Sequence, residues 1–193
     1  MTHYFSQEEP NKSKPQTFTY KFRDTTYTFS SDAGVFSVGK MDGATDILLH
    51  HIPPLRGSLL DMGCGYGCIG IILAKEYKLE LTQADINPRA IRLSQQNAAI
   101  NNVETQVIQS DHFSQIEKSF NTIVINPPIH AGKSLIFTMY EEAFSHLLPA
   151  GSLYIVIQKK HGAESSIKRL TEVFGNCGII YKKKGCYILR ANK

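Results

Sequence analysis

The sequence predicts an α/β fold in which a mostly parallel, seven-stranded sheet is covered by helices on both faces. Predicted strands and helices alternate five times from residue 59 onward, an order typical of parallel sheets. A glycine-rich segment at 63–70 joins the first of these strands to its helix, as in nucleotide-binding folds of this kind. Only residues 183–185 join the last two strands. Because that connection is too short for a crossover helix, the final strand must run antiparallel.

Hydrophobic periodicity and turn residues define the elements in order. Two segments that alternate polar and aromatic residues meet at Arg23-Asp24, which predicts a short β-hairpin over residues 17–30. Asn87 and Pro88 predict a helix start, with Asn as the cap and Pro at the first helical position. The predicted sheet strands are 59–61, 79–85, 103–109, 122–125, 151–158, 178–182 and 186–190, and the predicted helices are 67–77, 87–101, 134–148 and 163–174.

Length and composition favour one globular domain. The chain has 193 residues, of which 42% are hydrophobic and 20% charged. Residues 1–16 are polar and without periodicity, so we expect a flexible arm followed by a single domain over 17–193. No run of eighteen apolar residues and no signal peptide is found, so the sequence predicts no membrane span and a cytoplasmic location. The four cysteines form no metal-binding spacing, so no metal site is predicted.

The glycine-rich segment predicts a cofactor pocket, because glycines let the backbone approach a ligand closely. Residues 65–70 fit the dinucleotide fingerprint, and Asp85 follows Gly65 by twenty residues. Asp61 and Gly63 come before that pattern, however, which favours a ligand that has an ammonium group and no pyrophosphate. We expect Asp61 to lie near the ammonium and Asp85 to accept the ribose hydroxyls. A dehydrogenase site, or a turn that serves only helix packing, remains an alternative.

A third loop at the same edge of the sheet adds two candidate cofactor contacts. Asp111 and Phe113 follow the third strand directly. Asp111 can accept a hydrogen bond from an adenine amino group, and Phe113 can pack on the adenine ring. Asp111 can equally serve as a turn cap.

The segment Asn126-Pro127-Pro128-Ile129 follows the fourth strand and predicts the catalytic group. The two proline rings make this turn rigid. An exocyclic amine on a base is a poor nucleophile because its lone pair is delocalised into the ring. The Asn126 side-chain oxygen and the Pro127 carbonyl can accept its two N–H bonds and aim the lone pair at a methyl donor. His130 can contact the target base or only hydrogen-bond within the turn.

Together these motifs resemble the small-domain class I methyltransferases, which have a Rossmann-like fold and use S-adenosylmethionine. The segments 34–37, 126–132 and 184–190 resemble the ribosomal RNA guanine-N2 methyltransferase C type, and the resemblance covers about residues 30–191. It implies that Gly63, Gly65, Asp85 and Asp111 bind S-adenosylmethionine. It also implies that residues 126–129 hold the target base.

The resemblance is imperfect at the fourth position of the catalytic motif, which is usually aromatic and is Ile129 here. Phe36 is a candidate for the missing ring. Adenine N6 and a protein glutamine amide are therefore alternative targets, and a SAM-binding assembly factor without turnover is an alternative of another class. Asn126 and the two carboxylates Asp61 and Asp85 argue against that last interpretation.

Positive charge is predicted to gather at the same edge of the sheet as Asn126. Lys159 and Lys160 follow the fifth sheet strand, and residues 182–184 are three more lysines after the sixth. A basic rim of this kind suits a phosphate backbone, so the predicted partner is RNA, either ribosomal RNA or a ribosomal subunit. Solvated loop lysines are the alternative interpretation.

Overall fold

The computed structural model of the protein describes residues 12–127 and 132–193. Its centre is a seven-stranded sheet of order β5-β4-β3-β6-β7-β9-β8, and a separate two-stranded hairpin, β1-β2, precedes it. The strands are β1 Gln16–Phe22, β2 Thr25–Ser31, β3 Ser58–Met62, β4 Glu80–Asp85, β5 Thr105–Gln109, β6 Phe120–Ile125, β7 Leu147–Gln158, β8 Gly178–Lys183 and β9 Cys186–Asn192. The helices are α1 Gly43–His51, α2 Cys68–Tyr77, α3 Pro88–Ile100, α4 Lys133–Ser145 and α5 Ala163–Phe174, with a short 3₁₀ helix at Lys159–His161.

The strand directions confirm the predicted sheet. β3 pairs in parallel with β4 and β6, β4 with β5, and β6 with β7. β9 pairs antiparallel with both β7 and β8, so β8 runs in the same direction as β7. The carboxyl ends of six strands therefore meet at one edge, and β9 alone runs the other way.

Two apolar cores lie on opposite faces of the sheet, because side chains alternate along each strand. Leu59 and Val124 face the first core, which includes α1, α2 and α3. Leu60 and Ile123 face the second core, which includes α4 and α5. Helices therefore cover both faces, as the alternation of strands and helices predicts.

The predicted hairpin is confirmed, with its turn at Arg23-Asp24. Tyr27 and Phe29 are fully buried and join the first core. Within the arm that the sequence predicts over residues 1–16, Ser13 Oγ and the Lys14 amide donate hydrogen bonds to the Asp32 carboxylate at 2.7 and 2.5 Å. Residues 1–11 of that arm lie outside the described residues.

Helix α1 has no counterpart among the predicted elements. Asp42 caps it, and the Asp42 Oδ2 atom accepts hydrogen bonds from the amides of Ala44 and Thr45, both at 3.0 Å. The first helical residue is Gly43, which has low helix propensity. Packing holds the helix in place instead, since Leu48 and Leu49 are buried in the first core.

Candidate active site

A cavity of about 470 Å³ opens at the carboxyl ends of β3, β4 and β6. It is therefore built at the edge where the sequence predicts the cofactor. Most of its wall is apolar side chain or glycine backbone, with a few polar groups. The lining residues are Val35, Phe36, Ser37, Val38, Thr45, Gly63, Cys64, Gly65, Tyr66, Cys68, Ile69, Asp85, Asn87, Ala90, Asn126 and Pro127.

The glycine-rich loop forms one wall of this cavity. Gly65 has φ +57°, a left-handed conformation that disfavours side chains, and its amide lies at the cavity. At Gly70 the reason for glycine is different. A Cβ there would lie 2.8 Å from Leu81 Cδ1 and 3.0 Å from Asp61 Cβ, so glycine lets α2 pack closely on the sheet. The loop thus serves both the ligand and the helix packing.

Asp85 ends β4 and faces the cavity, as the sequence predicts. The Gly65 amide donates to Asp85 Oδ2 and the Asn87 amide to Asp85 Oδ1, both at 2.9 Å. Burial raises the pKa of Asp85, and the hydrogen bonds from Asn87 and Gly65 oppose that rise. Each carboxylate oxygen keeps a lone pair, so the carboxylate can still accept two hydroxyl donors.

Asp61 does not line the cavity, and its position near an ammonium group stays a prediction. It is 1% exposed, and its Oδ2 atom accepts hydrogen bonds from the Gly70 amide at 2.8 Å and from Gln83 Nε2 at 3.3 Å. Burial raises the pKa of Asp61 to about 6, although the two hydrogen bonds favour the carboxylate. In this structure Asp61 joins β3 to the first turn of α2.

Asp111 and Phe113 also lie away from the cavity lining. The Asp111 side chain is 63% exposed and approaches His112 Nε2 at 3.9 Å. Phe113 is buried in the second core, with its ring centroid 4.8 Å from that of His146. The chain turns sharply between them, because His112 adopts φ +48° and Ser110 Oγ donates to the His112 carbonyl. The turn directs Phe113 into the core.

Asn126 and Pro127 follow β6 and line the same cavity as the glycine-rich loop. Asn126 Nδ2 donates to Thr45 Oγ1 at 3.1 Å. Since the amide nitrogen is held by Thr45, the amide oxygen is the end that can accept from a ligand. The other members of the predicted motif, Pro128 and Ile129, and the neighbouring His130 lie outside the described residues.

A second, smaller cavity of about 30 Å³ adjoins the first and shares Phe36, Asn126 and Pro127 with it. Gln158 and His161 form part of its wall. Phe36, which the sequence singles out as a candidate ring for the target, is 39% exposed. The structure thus brings Phe36, Asn126 and Pro127 to one place.

Lys159 and Lys160 lie in the 3₁₀ helix that follows β7, at the carboxyl edge of the sheet. Both are exposed, and Lys159 Nζ lies 3.7 Å from Glu164 Oε1. Lys182 and Lys183 end β8 at the same edge and are exposed as well. These four lysines are called the basic rim below. Neither Lys159 nor Lys160 lines either cavity.

Among the described residues, no group of three or more His, Cys, Asp or Glu side chains is arranged to hold a metal ion. All four cysteines are free thiols, and Cys64 and Cys68 are buried beside the cavity. Within the same part of the chain, no helix has the length and apolar character needed to cross a bilayer.

The sequence reasoning did not identify several of the residues that form this site. Thr45 lies on the unpredicted helix α1, and Asn87 was assigned only a capping role. Asn87 does cap α3, since its Oδ1 accepts from the Arg89 amide at 2.9 Å, and its own amide orients Asp85. Tyr66 and Ile69 lie inside the glycine-rich loop and the helix that follows, so that motif was the available signal for them.

Comparison with known protein families identifies the family to which this chain belongs. A family described as methyltransferase small domain matches residues 26–190, which is most of the chain. The chain belongs to the methyltransferase small-domain family. Its cofactor is S-adenosylmethionine.

Individual members of the small-domain family show how far the similarity extends. A Bacillus subtilis (strain 168) protein named uncharacterized protein YbxB is 41% identical to this chain. The alignment covers 99% of this chain and 98% of the Bacillus protein. Ribosomal RNA small subunit methyltransferase C of Vibrio cholerae is 34% identical over 92% of this chain. This chain spans only about half of that protein, 53% of its length.

A solved structure of the same type has a similar fold. The 16S rRNA N2 methyltransferase RsmC of T. thermophilus, in complex with AdoMet and guanosine, superimposes with a TM-score of 0.82 at 27% sequence identity. The match covers 96% of this chain and 52% of that one. The Rossmann-like class I fold expected from the sequence is therefore confirmed.

The residues of the cavity fit S-adenosylmethionine. Asp85 would offer its carboxylate oxygens to the ribose hydroxyls, and the left-handed Gly65 would present backbone to the ligand. Apolar side chains such as Val35 and Ile69 supply surface for the remaining, less polar parts. When bound, the cofactor supplies a methyl group made electrophilic by its sulfonium.

Proposed function

We propose that this protein transfers a methyl group from S-adenosylmethionine to an exocyclic amino group of an RNA base, with guanine N2 of ribosomal RNA as the target. The observation that carries the proposal is the position of Asn126 and Pro127 on the wall shared by the two cavities. The larger cavity fits the methyl donor. The smaller one shares the same two residues, and we infer that the amine enters there.

The roles follow from hydrogen-bonding capacity. The amine has two N–H donors, and Asn126 Oδ1 and the Pro127 carbonyl are two acceptors. Accepting both bonds orients the nitrogen lone pair toward the methyl group and supports the positive charge that develops on nitrogen. The nitrogen forms the new N–C bond as the C–S bond of the donor breaks, and the methylated nitrogen then loses one proton to solvent.

The relatives support RNA as the substrate class. Those named ribosomal RNA small subunit methyltransferase C match over much of this chain, and the T. thermophilus enzyme was solved with guanosine. The basic rim adds charge complementary to phosphates at the edge where Asn126 lies. Ile129 has no aromatic ring to stack on a base. Guanine is therefore the most specific element of the proposal, and the experiment below tests it directly.

The deciding experiment supplies the protein with methyl-tritiated S-adenosylmethionine and, separately, free ribosomal RNA and ribosomal subunits from a strain that lacks the enzyme. Digestion to nucleosides then identifies the product. We expect label in N2-methylguanosine. Label in N6-methyladenosine would overturn the guanine assignment, and label only in protein would indicate a glutamine amide.

The variant Asn126→Ala tests the catalytic role in the same assay. Removing the side-chain amide leaves Asp85 and the glycine-rich loop in place, so cofactor binding should persist. The rate should fall by about 10²–10³-fold, the usual loss for one such electrostatic contact. A variant that binds the cofactor and turns over at the normal rate would contradict the role assigned to Asn126. A wild-type protein that binds cofactor but labels nothing would point to an assembly factor.

A further inference from the structure

A chain of hydrogen bonds runs from the catalytic asparagine to the cap of helix α1. Asn126 Nδ2 donates to Thr45 Oγ1 at 3.1 Å, and Thr45 Oγ1 donates to Asp42 Oδ2 at 3.3 Å. Thr45 is 2% exposed and lines the larger cavity, while Asp42 lines the smaller one. Asn126 and Thr45, which this series of hydrogen bonds connects, are 81 positions apart in sequence.

The direction of each hydrogen bond follows from the chemistry of the three groups. An ionised carboxylate can only accept, so the Thr45 hydroxyl proton is drawn toward Asp42. The hydroxyl oxygen then presents a lone pair to Asn126, so Asn126 must donate a hydrogen bond from its N–H₂ group. The opposite orientation of the amide would turn the N–H₂ group toward the incoming amine, where two donors would face each other.

Asp42 does more here than cap the helix. Capping α1 requires only the bonds from the Ala44 and Thr45 amides, which Asp42 Oδ2 accepts. The third helical position often carries Glu or Gln, whose side chain reaches back to the cap. In this protein that position is Thr45, and its hydroxyl connects the cap to Asn126 instead. The rigid first turn of α1 thereby becomes part of the active site.

We propose that Thr45 and Asp42 are positioning residues that fix the side-chain amide of Asn126 with its oxygen toward the amine to be methylated. This inference rests on the proposed function for the identity of that amine. In this inference, helix α1 determines which end of the Asn126 amide faces the amine. Neither residue touches the reacting atoms in this scheme, and both act through Asn126.

The variants Thr45→Val and Thr45→Ser test the proposal. Valine keeps the shape of threonine but removes the hydroxyl, whereas serine keeps the hydroxyl. Thr171→Val is the matched control, since Thr171 lies in α5 and its Oγ1 donates to the Ile167 carbonyl in its own helix. Thermal unfolding of all three proteins establishes that each is folded.

The first readout is solvent exchange of the Asn126 side-chain amide protons by NMR, with the signals identified by their loss in Asn126→Ala. Hydrogen bonding to the buried Thr45 hydroxyl should slow exchange. We expect exchange about tenfold faster in Thr45→Val, and wild-type rates in Thr45→Ser and Thr171→Val. Equal rates in all four proteins would overturn the inference, whether or not RNA is the substrate.

The second readout is steady-state methylation of the RNA substrate. Thr45→Val should lower kcat by about tenfold because the Asn126 amide is misoriented. KM for S-adenosylmethionine should stay close to the wild-type value, because valine keeps the shape of threonine in the cavity wall. Thr45→Ser should restore kcat. Normal kcat in a folded Thr45→Val protein would overturn the positioning role. A wild-type protein that methylates no RNA but shows the exchange pattern above would refute the proposed substrate and support the positioning of Asn126.

Discussion

Asp85 shapes the glycine-rich loop as well as lining the cavity. Its two oxygens accept the amides of Gly65 and Asn87, and these bonds hold the loop and the start of α3 against the end of β4. The remaining lone pairs stay available to hydroxyl donors of a ligand. The sequence was sufficient to place Asp85 at the cavity, because the last residue of a parallel strand lies at the ligand-binding edge of such a sheet.

Replacing Asp85 by alanine should therefore weaken binding of S-adenosylmethionine. Hydrogen bonds to a charged acceptor contribute roughly 1.5–3 kcal/mol, or about 10- to 150-fold in affinity. Isothermal titration calorimetry with the cofactor alone measures the change. Asp24→Ala, in the exposed turn of the hairpin, is the control and should bind normally. Unchanged affinity for S-adenosylmethionine in Asp85→Ala would contradict the prediction that Asp85 accepts the ribose hydroxyls.

Asp61 is buried and does not line the cavity. It is one residue before the end of β3, and side chains along a strand alternate between the two faces. Leu60 and Met62 face the second core, so Asp61 must face the first, where α2 covers it. The alternation was readable from the sequence, whereas the partners of the carboxylate, Gly70 and Gln83, depend on how α2 packs.

The buried Asp61 carboxyl should give the protein a measurable pH dependence of stability. Its pKa is raised from 3.8 to about 6 by burial. Because the folded state then holds a proton that the unfolded state has released, stability falls as pH rises from about 4 to 6, by about 3 kcal/mol in all. Asp61→Asn lacks this titration.

Urea unfolding of both proteins at several pH values tests this expectation. The free energy of unfolding of Asp61→Asn relative to wild type should rise from pH 4 to pH 7 and stay level above that. Parallel profiles across the whole range would mean that Asp61 titrates normally.

Among the α-helices of the described residues, α1 is the one that the sequence did not predict. It has nine residues, starts with Gly43 and derives its stability from burial of Leu48 and Leu49. Isolated helices of this length are marginal, so local propensity gives a weak signal and tertiary packing decides. The longer helix α5 was predicted with both ends correct, because its apolar residues recur on one face and Gly175 ends it.

Two asparagines hydrogen-bond the β1-β2 hairpin to α3. Asn97 lies within α3, and Asn101 is its C-terminal cap. Asn97 Oδ1 accepts from the Ser30 amide at 2.7 Å, and Asn97 Nδ2 donates to the carbonyls of Ser30 and Tyr66, both at 2.8 Å. Asn101 makes the equivalent pair of bonds with Thr28. Asn97 thus connects the hairpin to the glycine-rich loop as well as to α3.

Asn97→Ala should destabilise the protein by about 2–4 kcal/mol, because it leaves several buried backbone groups without partners. Gln95→Ala, an exposed position of the same helix, should change the free energy of unfolding by less than about 0.5 kcal/mol. Chemical denaturation of both variants measures the difference. Equal stability of the two variants would show that the hairpin is held by its apolar contacts alone.

At the scale of the whole molecule, topology gathers residues that are far apart in sequence. The sequence was sufficient for the strand directions and for the edge at which Gly65, Asp85 and Asn126 meet, since those follow from connection lengths and strand order. It was insufficient for Thr45, whose contact with Asn126 arises only when α1 packs near the end of β6. Non-local side-chain pairs of this kind leave no periodic signal in the chain.

The same topology brings the basic rim to the edge that holds Asn126. β7 and β8 run parallel, so Lys160 after β7 and Lys183 at the end of β8 lie on that edge. If the rim contacts phosphates, the double variant Lys160→Glu/Lys183→Glu should raise KM for RNA and leave affinity for S-adenosylmethionine unchanged. The slope of log affinity against log salt should become shallower by about one for each phosphate that the variant no longer neutralises.

Lys78→Glu/Lys168→Glu is the charge-matched control for that variant. Both doubles reduce the formal net charge from +4 to zero, but Lys78 precedes β4 at the opposite edge and Lys168 lies on α5. Filter binding of RNA across a salt series, together with steady-state methylation, compares the two. An equal decrease in RNA affinity in both would mean that overall charge attracts RNA without a defined contact. A decrease confined to Lys160→Glu/Lys183→Glu would mean that the edge carrying Asn126 is the surface on which the RNA backbone lies, as methylation at that edge requires.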